Sequence, residues 1–517
     1  MPGTARFPTS GVTCDRLVNR STESSRLAVT ITGVKYETVI GLEVHAQLLT
    51  QSKMFCACPC PSLQSLPNST VCPVCLGMPG VLPVINRRAV ELTIMTGLAL
   101  NCQIPDEAKF DRKNYHYPDL MKGYQISQYD LPLCRDGWLE IDVQGRTQRI
   151  GITRVHLEED TTRSQHMTNR AGESYSLIDI NRSGLPLMEI VSEPDMRTAE
   201  EARAYLTKLR QVLRYIGSSR ANMEEGNMRC EPNVSIRPLG NSSFGAKVEL
   251  KNINSLRHAY DAIKFEVDRQ TKLLESGGRV IQETRGWRED VKQSVAQRSK
   301  EFAEDYRYFP EPDLPIVMVE RAWVDEIRSR MPELPDARRH RFSEQYGLSD
   351  YDSRVLTESR ARADFFESAV ALGSGETTRR AKLVANWVNG DFARLLNTAR
   401  LEIQDSRLTP ESLSQLLDLV ESGAISGKTA KYVFEQMFSS GRLPAAIVKE
   451  SDLGRLESPE EILEAIAKVV EEWPKAVADY KSGKETATKF LVGQVMRETR
   501  GRARPDIVMH HLREKLA

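Results

Sequence analysis

A carboxylate and an imidazole stand two residues apart in a segment that alternates between apolar and polar residues. The alternation over 39–48 predicts a half-buried β-strand. Successive side chains of a strand point to opposite faces, so Glu43 and His45 share one face while Leu42 and Val44 share the other. The sequence therefore predicts a strand that buries its apolar face and presents groups able to bind a cation on its open face.

Two cysteine pairs follow this strand. Cys56 and Cys58 are separated by thirteen residues from Cys72 and Cys75, which is the ligand spacing of a tetrahedral zinc site. Four thiolates leave no open coordination position, so we expect a structural zinc ion rather than a catalytic one. Cys60 offers a fifth sulfur, which leaves open which of the first three cysteines bind. Clustered cysteines favour a metal site in a reducing compartment over a disulfide framework, and unliganded thiols are the alternative.

Further acidic residues lie on other predicted strands. Alternation places His156, Glu158 and Asp160 on one face, and Glu189 interrupts an apolar run. Carboxylates that converge repel one another unless a cation neutralises them. Oxygen ligands with a single histidine suit Mg²⁺ or Mn²⁺ held together with a substrate phosphate. The alternative is a set of unrelated, solvated strand faces.

Basic residues interleave with aromatic ones near residue 300. Arg298, Lys300 and Arg307 stand close to Tyr306 and Tyr308. Cations suit the phosphates of a nucleotide and aromatic rings suit its base, so this segment is a candidate nucleotide contact. The alternative is an amphipathic loop that packs on the core.

The chain is too long for a single core, and we expect about three domains. Strand and helix signals are mixed over 36–322, which predicts an α+β domain, and only helical signals follow over 323–404 and 405–517. The last segment is locally basic, which suits a polyanion or a solvated helix face. Residues 1–35 have the composition of a disordered tail or of a transit peptide.

The whole-chain totals carry less information. With 71 basic and 71 acidic residues, the net charge of zero does not by itself indicate a nucleic-acid partner. The sequence contains no apolar run long enough for a transmembrane helix, and we expect no membrane partner.

Seven motifs occur in a fixed order: GLEVH (41–45), CPVCLGMPGVLP (72–83), HLEED (156–160), NRSGLPLMEIVSEPD (181–195), NMEEG (222–226), VELKNINS (248–255) and DYRYFP (305–310). Together they closely resemble the GatB family, the B subunits of tRNA-dependent amidotransferases. The resemblance extends from about residue 36 to the C-terminal end.

This resemblance implies a fold and an activity. The N-terminal domain is expected to be a glutamine synthetase-like cradle with a mainly antiparallel sheet and an inserted zinc knuckle. An all-α helical domain and an all-α, YqeY-like tail domain are expected to hold the tRNA. ATP would phosphorylate the side-chain carboxylate of Glu-tRNA(Gln), of Asp-tRNA(Asn) or of both, and ammonia would displace the phosphate. The ammonia would come from a GatA-type glutaminase subunit, with a small GatC-type subunit completing the complex.

The resemblance also implies site residues. The family's Mg²⁺ ligands fall on His45, Glu158 and Glu189, and Glu43 lies close by; we expect these four residues to be catalytic. Candidates for a further ion or for positioning are Asp160, Glu224 and Glu225. Candidates for contacts with ATP or phosphate are Lys251, Arg298, Lys300 and Arg307, together with Arg182 and Arg229.

Two other functions compete with this one. A GatE-type subunit would act only on Glu-tRNA(Gln), but it carries an inserted domain for which the short run after Pro315 leaves no room. A non-catalytic zinc-ribbon RNA-binding protein would explain the cysteines and the basic tail but not the acidic strands. We expect a bacterial cytoplasmic protein, or a mitochondrial or chloroplast one if residues 1–35 are a transit peptide.

Overall fold

The computed structural model describes residues 30–31, 34–62, 64–299, 306–451, 459–499 and 501–516. Most of the 1–35 extension, Lys300 and the side chain of Arg298 lie outside the described residues. Within the described ranges, no helix combines the length and the apolar character needed to cross a bilayer.

The described strands all lie before residue 319, and only helices follow them. The strands are β1 (Thr30–Ile31), β2 (Val34–Gln47), β3 (Glu107–Ala108), β4 (Asp111–Asn114), β5 (Tyr124–Ser127), β6 (Cys134–Val143), β7 (Arg146–Glu159), β8 (Arg163–Thr168), β9 (Ser174–Asp179), β10 (Pro186–Ser192), β11 (Met228–Pro238), β12 (Val248–Lys251), β13 (Glu283–Arg288), β14 (Gln293–Ser299), β15 (Phe309–Pro310) and β16 (Val317–Met318). The helices are α1 (Arg87–Ala99), α2 (Ala199–Ile216), α3 (Leu256–Glu275), α4 (Arg321–Ser329), α5 (Pro335–Tyr346), α6 (Asp350–Leu356), α7 (Arg360–Ala371), α8 (Thr377–Trp387), α9 (Ala393–Ala399), α10 (Pro410–Glu421), α11 (Gly427–Ser440), α12 (Pro444–Glu450), α13 (Pro459–Glu472), α14 (Pro474–Lys481), α15 (Glu485–Glu498) and α16 (Pro505–Leu516). The predicted order, an α+β region followed by helices, is confirmed.

A nine-stranded sheet organises the N-terminal region. Its strand order is β14-β13-β12-β11-β2-β10-β7-β6, and β1 pairs with β2 beside this path. The pairs along the path are antiparallel except for β12 with β13, which is parallel. Along β2, buried and half-buried residues alternate as the sequence predicted. The long central strand β2 therefore has one face in the core and one face available for polar groups.

Three helices cover the apolar face of this sheet. The core combines Leu42 and Val44 of β2 with buried residues of α1, α2 and α3. Helix α2 begins after Thr198, whose hydroxyl accepts a hydrogen bond from the Glu201 amide. It ends at Gly217, whose φ of 73° is a left-handed conformation that glycine adopts without strain. The polar face of the sheet is opposite these helices.

The helical part of the chain contains two further apolar cores. One core extends from Phe342 to Ile447 and the other from Ile462 to Leu516. The predicted boundary at 404 falls inside the first of these cores, between Ile403 and Leu408. The domain boundaries drawn from the sequence therefore stay a prediction.

A buried arginine stabilises the helical region. Arg380 is 2% exposed, and it donates hydrogen bonds to the Glu421 carboxylate and, at 2.8 Å, to the Ser414 carbonyl. We expect Arg380→Ala to lower the free energy of unfolding by about 2–3 kcal/mol, because these charge-assisted bonds are lost inside the core. Urea denaturation would measure the change. Arg379→Ala is the matched control, because Arg379 is 77% exposed and 3.8 Å from the same Glu421; equal effects of both variants would contradict the prediction.

Candidate active site

Three strands bring His45, Glu158 and Glu189 together on the polar face. In the strand register Glu189 of β10 lies opposite His45 of β2 and opposite His156 of β7. The Nε2 atom of His45 is 3.4 Å from a Glu158 oxygen and 3.5 Å from a Glu189 oxygen. One ligand atom from each of the three residues lies within 4.8 Å of the others. We call these three residues the central triad.

Burial and charge set the protonation of the central triad. Burial lowers the pKa of His45, but the charges of Glu189 and Glu158 outweigh this effect and raise it to about 9. Burial raises the pKa of Glu189, but His156 and His45 hold it well below its usual range. The proton on His45 thus supplies positive charge to two buried carboxylates. A cation bound by the same three atoms would replace that proton.

The donor set of the central triad fits a divalent metal ion. Two carboxylates and one imidazole converge from separate strands, and Glu158 is only 2% exposed. Mg²⁺ and Mn²⁺ take oxygen ligands of this kind and usually complete their coordination with water and phosphate oxygens. The arrangement can therefore hold one ion and leave positions for a phosphorylated substrate.

A second group of carboxylates lies next to the central triad and contains Glu43. Oxygen atoms of Glu43, Glu231 and Glu249 lie within 4.8 Å of one another. Burial, and then the charges of Glu189 and Glu231, raise the pKa of Glu43. Lys251, predicted to contact ATP, is 3.2 Å from Glu231 and 3.5 Å from Glu249. Glu231 was missed by the sequence analysis; it lies opposite Glu43 through the pairing of β11 with β2.

Asp160 lies beside the central triad and binds two of the arginines predicted to contact phosphate. Arg229 donates to Asp160 at 2.8 Å, and Arg182 lies 3.5 Å from its other oxygen. Burial raises the pKa of Asp160, but Arg229 and Arg182 outweigh it and the net pKa is lowered. Arg182 also donates to the carbonyls of Thr161 and Thr162. Both arginines therefore position the loop after β7 through Asp160.

The other predicted residues lie on other segments of the N-terminal region. Glu224 and Glu225 are exposed just before β11 and belong to neither carboxylate group. Arg298 is on β14, at the far edge of the sheet from β7. Arg307 has a φ of 42°, and its carbonyl accepts a hydrogen bond from the Asn114 side chain at 2.9 Å. Contacts between ATP and Arg298, Lys300 or Arg307 stay a prediction.

A lysine that the sequence analysis missed lies within electrostatic range of the central triad. Burial lowers the pKa of Lys113, but the charges of Glu158 and other acidic groups outweigh it and the net pKa is raised. Its ammonium is 4.8 Å from the ring centre of Tyr306, and Tyr308 stacks on Tyr129 at 4.3 Å. Strand β4, which carries Lys113, pairs with β15 of the predicted nucleotide segment. This pairing brings that aromatic segment towards the central triad.

Four sulfur atoms form a separate group. They belong to Cys56, Cys58, Cys72 and Cys75 and lie within 4.8 Å of one another. The sulfurs of Cys72 and Cys75 are 3.9 Å apart, close to the roughly 3.8 Å expected between thiolates of a tetrahedral zinc site. Cys60 lies outside this group, with its sulfur 3.5 Å from the Thr50 hydroxyl. The four-sulfur donor set fits zinc and leaves no position for a substrate.

The chain is similar in sequence to known proteins over most of its length. Residues 38–325 match the GatB/GatE catalytic domain, and residues 364–516 match the GatB domain. The chain is 54% identical over 483 residues to the B subunit of the aspartyl/glutamyl-tRNA(Asn/Gln) amidotransferase of Carboxydothermus hydrogenoformans, covering 93% of this chain and 99% of the relative. The proteins of the same name from Dehalococcoides mccartyi strain 195 and Caldanaerobacter subterraneus are each 52% identical, and the alignments cover 93% and 94% of this chain and 99% and 100% of those relatives.

Proposed function

The chain belongs to the GatB/GatE family of amidotransferase subunits, and on this premise we propose that it is the B subunit that amidates misacylated tRNA. It phosphorylates the side-chain carboxylate of Glu-tRNA(Gln), of Asp-tRNA(Asn) or of both with ATP, and ammonia then displaces the phosphate. The single observation that carries the proposal is the convergence of His45, Glu158 and Glu189 on the polar face of the sheet.

The residues of the site have distinct parts in this reaction. His45, Glu158 and Glu189 would hold Mg²⁺, which would supply positive charge to neutralise the transferred phosphoryl group. Lys113 lies within electrostatic range of the same carboxylates and is placed to attract the phosphate groups. The tyrosines of the 306–308 segment flank Lys113 and limit access of water from that side. The substrate carboxylate and ammonia are the nucleophiles, so the chain need not supply a covalent one.

The partners follow from the reaction and from the names of the relatives. Those relatives are named as one subunit of an amidotransferase that acts on tRNA. We infer a complex with a GatA-type glutaminase that releases ammonia and with a small GatC-type subunit. Free ammonia at neutral pH is mostly ammonium, so its delivery needs an enclosed path from one subunit to the next. The zinc group has a structural part in this proposal, because four thiolates complete its coordination.

The alternative functions have less support. The function of a non-catalytic zinc-ribbon RNA-binding protein does not account for the converging carboxylates, because carboxylates repel an RNA phosphate. A GatE-type subunit carries an inserted domain, but only two residues separate β16 from α4 here.

An ATPase assay with charged tRNA tests the proposal. The protein in complex with its glutaminase partner should form ADP in proportion to added Glu-tRNA(Gln) or Asp-tRNA(Asn). With glutamine present, the amidated aminoacyl-tRNA should accumulate. Correctly charged Gln-tRNA(Gln) is the control and should not stimulate ADP formation. An equal rate of ADP formation with and without misacylated tRNA would exclude the proposed reaction.

Removal of the C-terminal helices, which form the core from Ile462 to Leu516, should weaken tRNA binding. Truncation after residue 451 leaves the core from Phe342 to Ile447 intact. Truncation near 410 would instead remove α10, whose Leu413 and Leu417 belong to that core. Exposed basic residues of the removed part include Lys475, Lys481, Lys489, Arg497 and Arg513. Because such residues neutralise RNA phosphates, we expect the Kd for tRNA to rise about tenfold or more in filter binding. Unchanged affinity together with unchanged salt dependence would show that this basic surface is only solvated.

A further inference from the structure

A cavity lies where α2 of the N-terminal region meets the helices that follow. Its volume is about 720 Å³, within the range of small-molecule sites. Four of its lining residues are arginines from three different helices: Arg210 and Arg214 of α2, Arg354 of α6 and Arg360 of α7. The cavity is separate from the central triad, because α2 packs on the opposite, apolar face of the sheet.

Two of these arginines have donors available for a ligand. Arg210 donates through Nε to the Ala221 carbonyl at 3.0 Å, and no ion pair joins it to a carboxylate of the described residues. Arg354 lies 6.0 Å from the ring centre of Tyr351 and likewise makes no ion pair within the described ranges. A guanidinium carries five N–H donors, so both side chains keep several free to bind an anion.

The acidic residues that line the cavity are engaged by other arginines. Glu358 accepts a hydrogen bond from Arg362 at 2.9 Å. Asp364 is 2.6 Å from Arg338 and 3.5 Å from Arg360. Glu358 and Asp364 therefore already pair with other arginines, and neither forms an ion pair with Arg210 or Arg354 in the described residues. Glu358, Glu402 and the nearby Glu224 act on Arg210 only at longer range.

Arg210 and Arg214 place two positive charges close together on α2. Burial, followed by the charge of Arg214, lowers the pKa of Arg210. Glu402 is 3.8 Å from Arg214, at the long end of the range for an ion pair. A bound anion would relieve this repulsion.

We propose that this cavity is a binding site for a phosphate group, with Arg210 donating from α2 and Arg354 donating from α6. The phosphate belongs either to an RNA backbone or to a free nucleotide, since Arg forks bind both in the same way. Val355 and Ala361 line the same cavity and offer apolar contact to the sugar or base. Arg210 is on α2, which packs in the N-terminal core, and Arg354 is on α6, which packs in the core from Phe342 to Ile447. A ligand bound by both arginines would therefore stabilise the contact between these two parts of the chain. The site does not depend on the proposed catalytic function.

The test uses the full chain and two single variants, Arg210→Gln and Arg354→Gln. Inorganic pyrophosphate, without added divalent cations, is titrated calorimetrically, and uncharged tRNA is measured by filter binding. Arg203→Gln is the matched control, because Arg203 is exposed on the same helix, against Tyr260 and outside the cavity. We expect each cavity variant to weaken binding of at least one ligand about tenfold, while the control binds as the unaltered protein does.

The pattern of losses distinguishes the two sources of phosphate. Weaker binding of tRNA, with or without weaker binding of pyrophosphate, identifies the RNA backbone. Weaker binding of pyrophosphate alone identifies a free nucleotide. Unchanged affinity for both ligands in both variants overturns the proposal. If Arg210→Gln lowers the thermal midpoint, the result for Arg354→Gln decides between the outcomes. Arg354 is exposed, and its replacement removes no ion pair of the described structure.

Discussion

Replacement of Glu158 by glutamine should abolish most of the amidation activity while the protein remains folded. The change keeps the size of the side chain but removes one of the two negative charges that would hold the ion of the central triad. Loss of a preorganised charge at a phosphoryl-transfer site typically costs a hundred- to thousandfold in rate, and we expect roughly that reduction in kcat. The measurement is formation of Gln-tRNA(Gln) or Asn-tRNA(Asn) by the complete complex.

The controls separate chemistry from ammonia supply and from folding. Ammonium chloride in place of glutamine bypasses the glutaminase, and the loss should persist under that condition. Glu193→Gln is the matched variant, because Glu193 is an exposed carboxylate just beyond β10 that accepts a hydrogen bond from Thr153. Its rate should be close to that of the unaltered enzyme. Normal amidation by Glu158→Gln would remove the central triad from the mechanism.

Replacement of Cys72 by serine should release zinc and destabilise the segment around it, whereas Cys60→Ser should do neither. The sulfur of Cys72 lies in the four-sulfur group, and the sulfur of Cys60 contacts the Thr50 hydroxyl instead. We expect bound zinc to fall from about one ion per chain to near zero in the Cys72 variant, with a thermal midpoint lower by about 5 °C or more. Metal analysis by mass spectrometry and calorimetric scans measure both effects.

The two cysteine variants also test which sulfurs bind. Equal zinc loss in Cys60→Ser and Cys72→Ser would show that Cys60 is a ligand. Full zinc content in both variants would show that the four sulfurs are not the site. Chelation of the unaltered protein should reproduce the thermal shift of the Cys72 variant.

Local signals made parts of the fold predictable. The alternation around Glu43 predicted β2, because strand periodicity depends on neighbouring residues only. The caps of α2 at Thr198 and Gly217 are local in the same way. The order of the strands was not predictable. That order depends on pairings such as β2 with β10, between residues about 140 positions apart, which no local pattern encodes.

The candidate site shows the same limit. Family resemblance pointed to His45, Glu158 and Glu189, and alternation explained why each faces the open side. Lys113 escaped notice because β4 is four residues long and belongs to a separate three-stranded sheet. Its position near the acidic residues of the central triad depends on tertiary structure.

The strand register has a consequence for how the gene can vary. One extra codon within β10, before Glu189, would turn that carboxylate towards the helices and bring an apolar neighbour to the open face. An extra codon in the turn between β8 and β9, near Gly172, would only lengthen an exposed loop. The central strands can thus exchange one side chain for another but cannot change in length, and insertions that preserve the reading frame are confined to the turns.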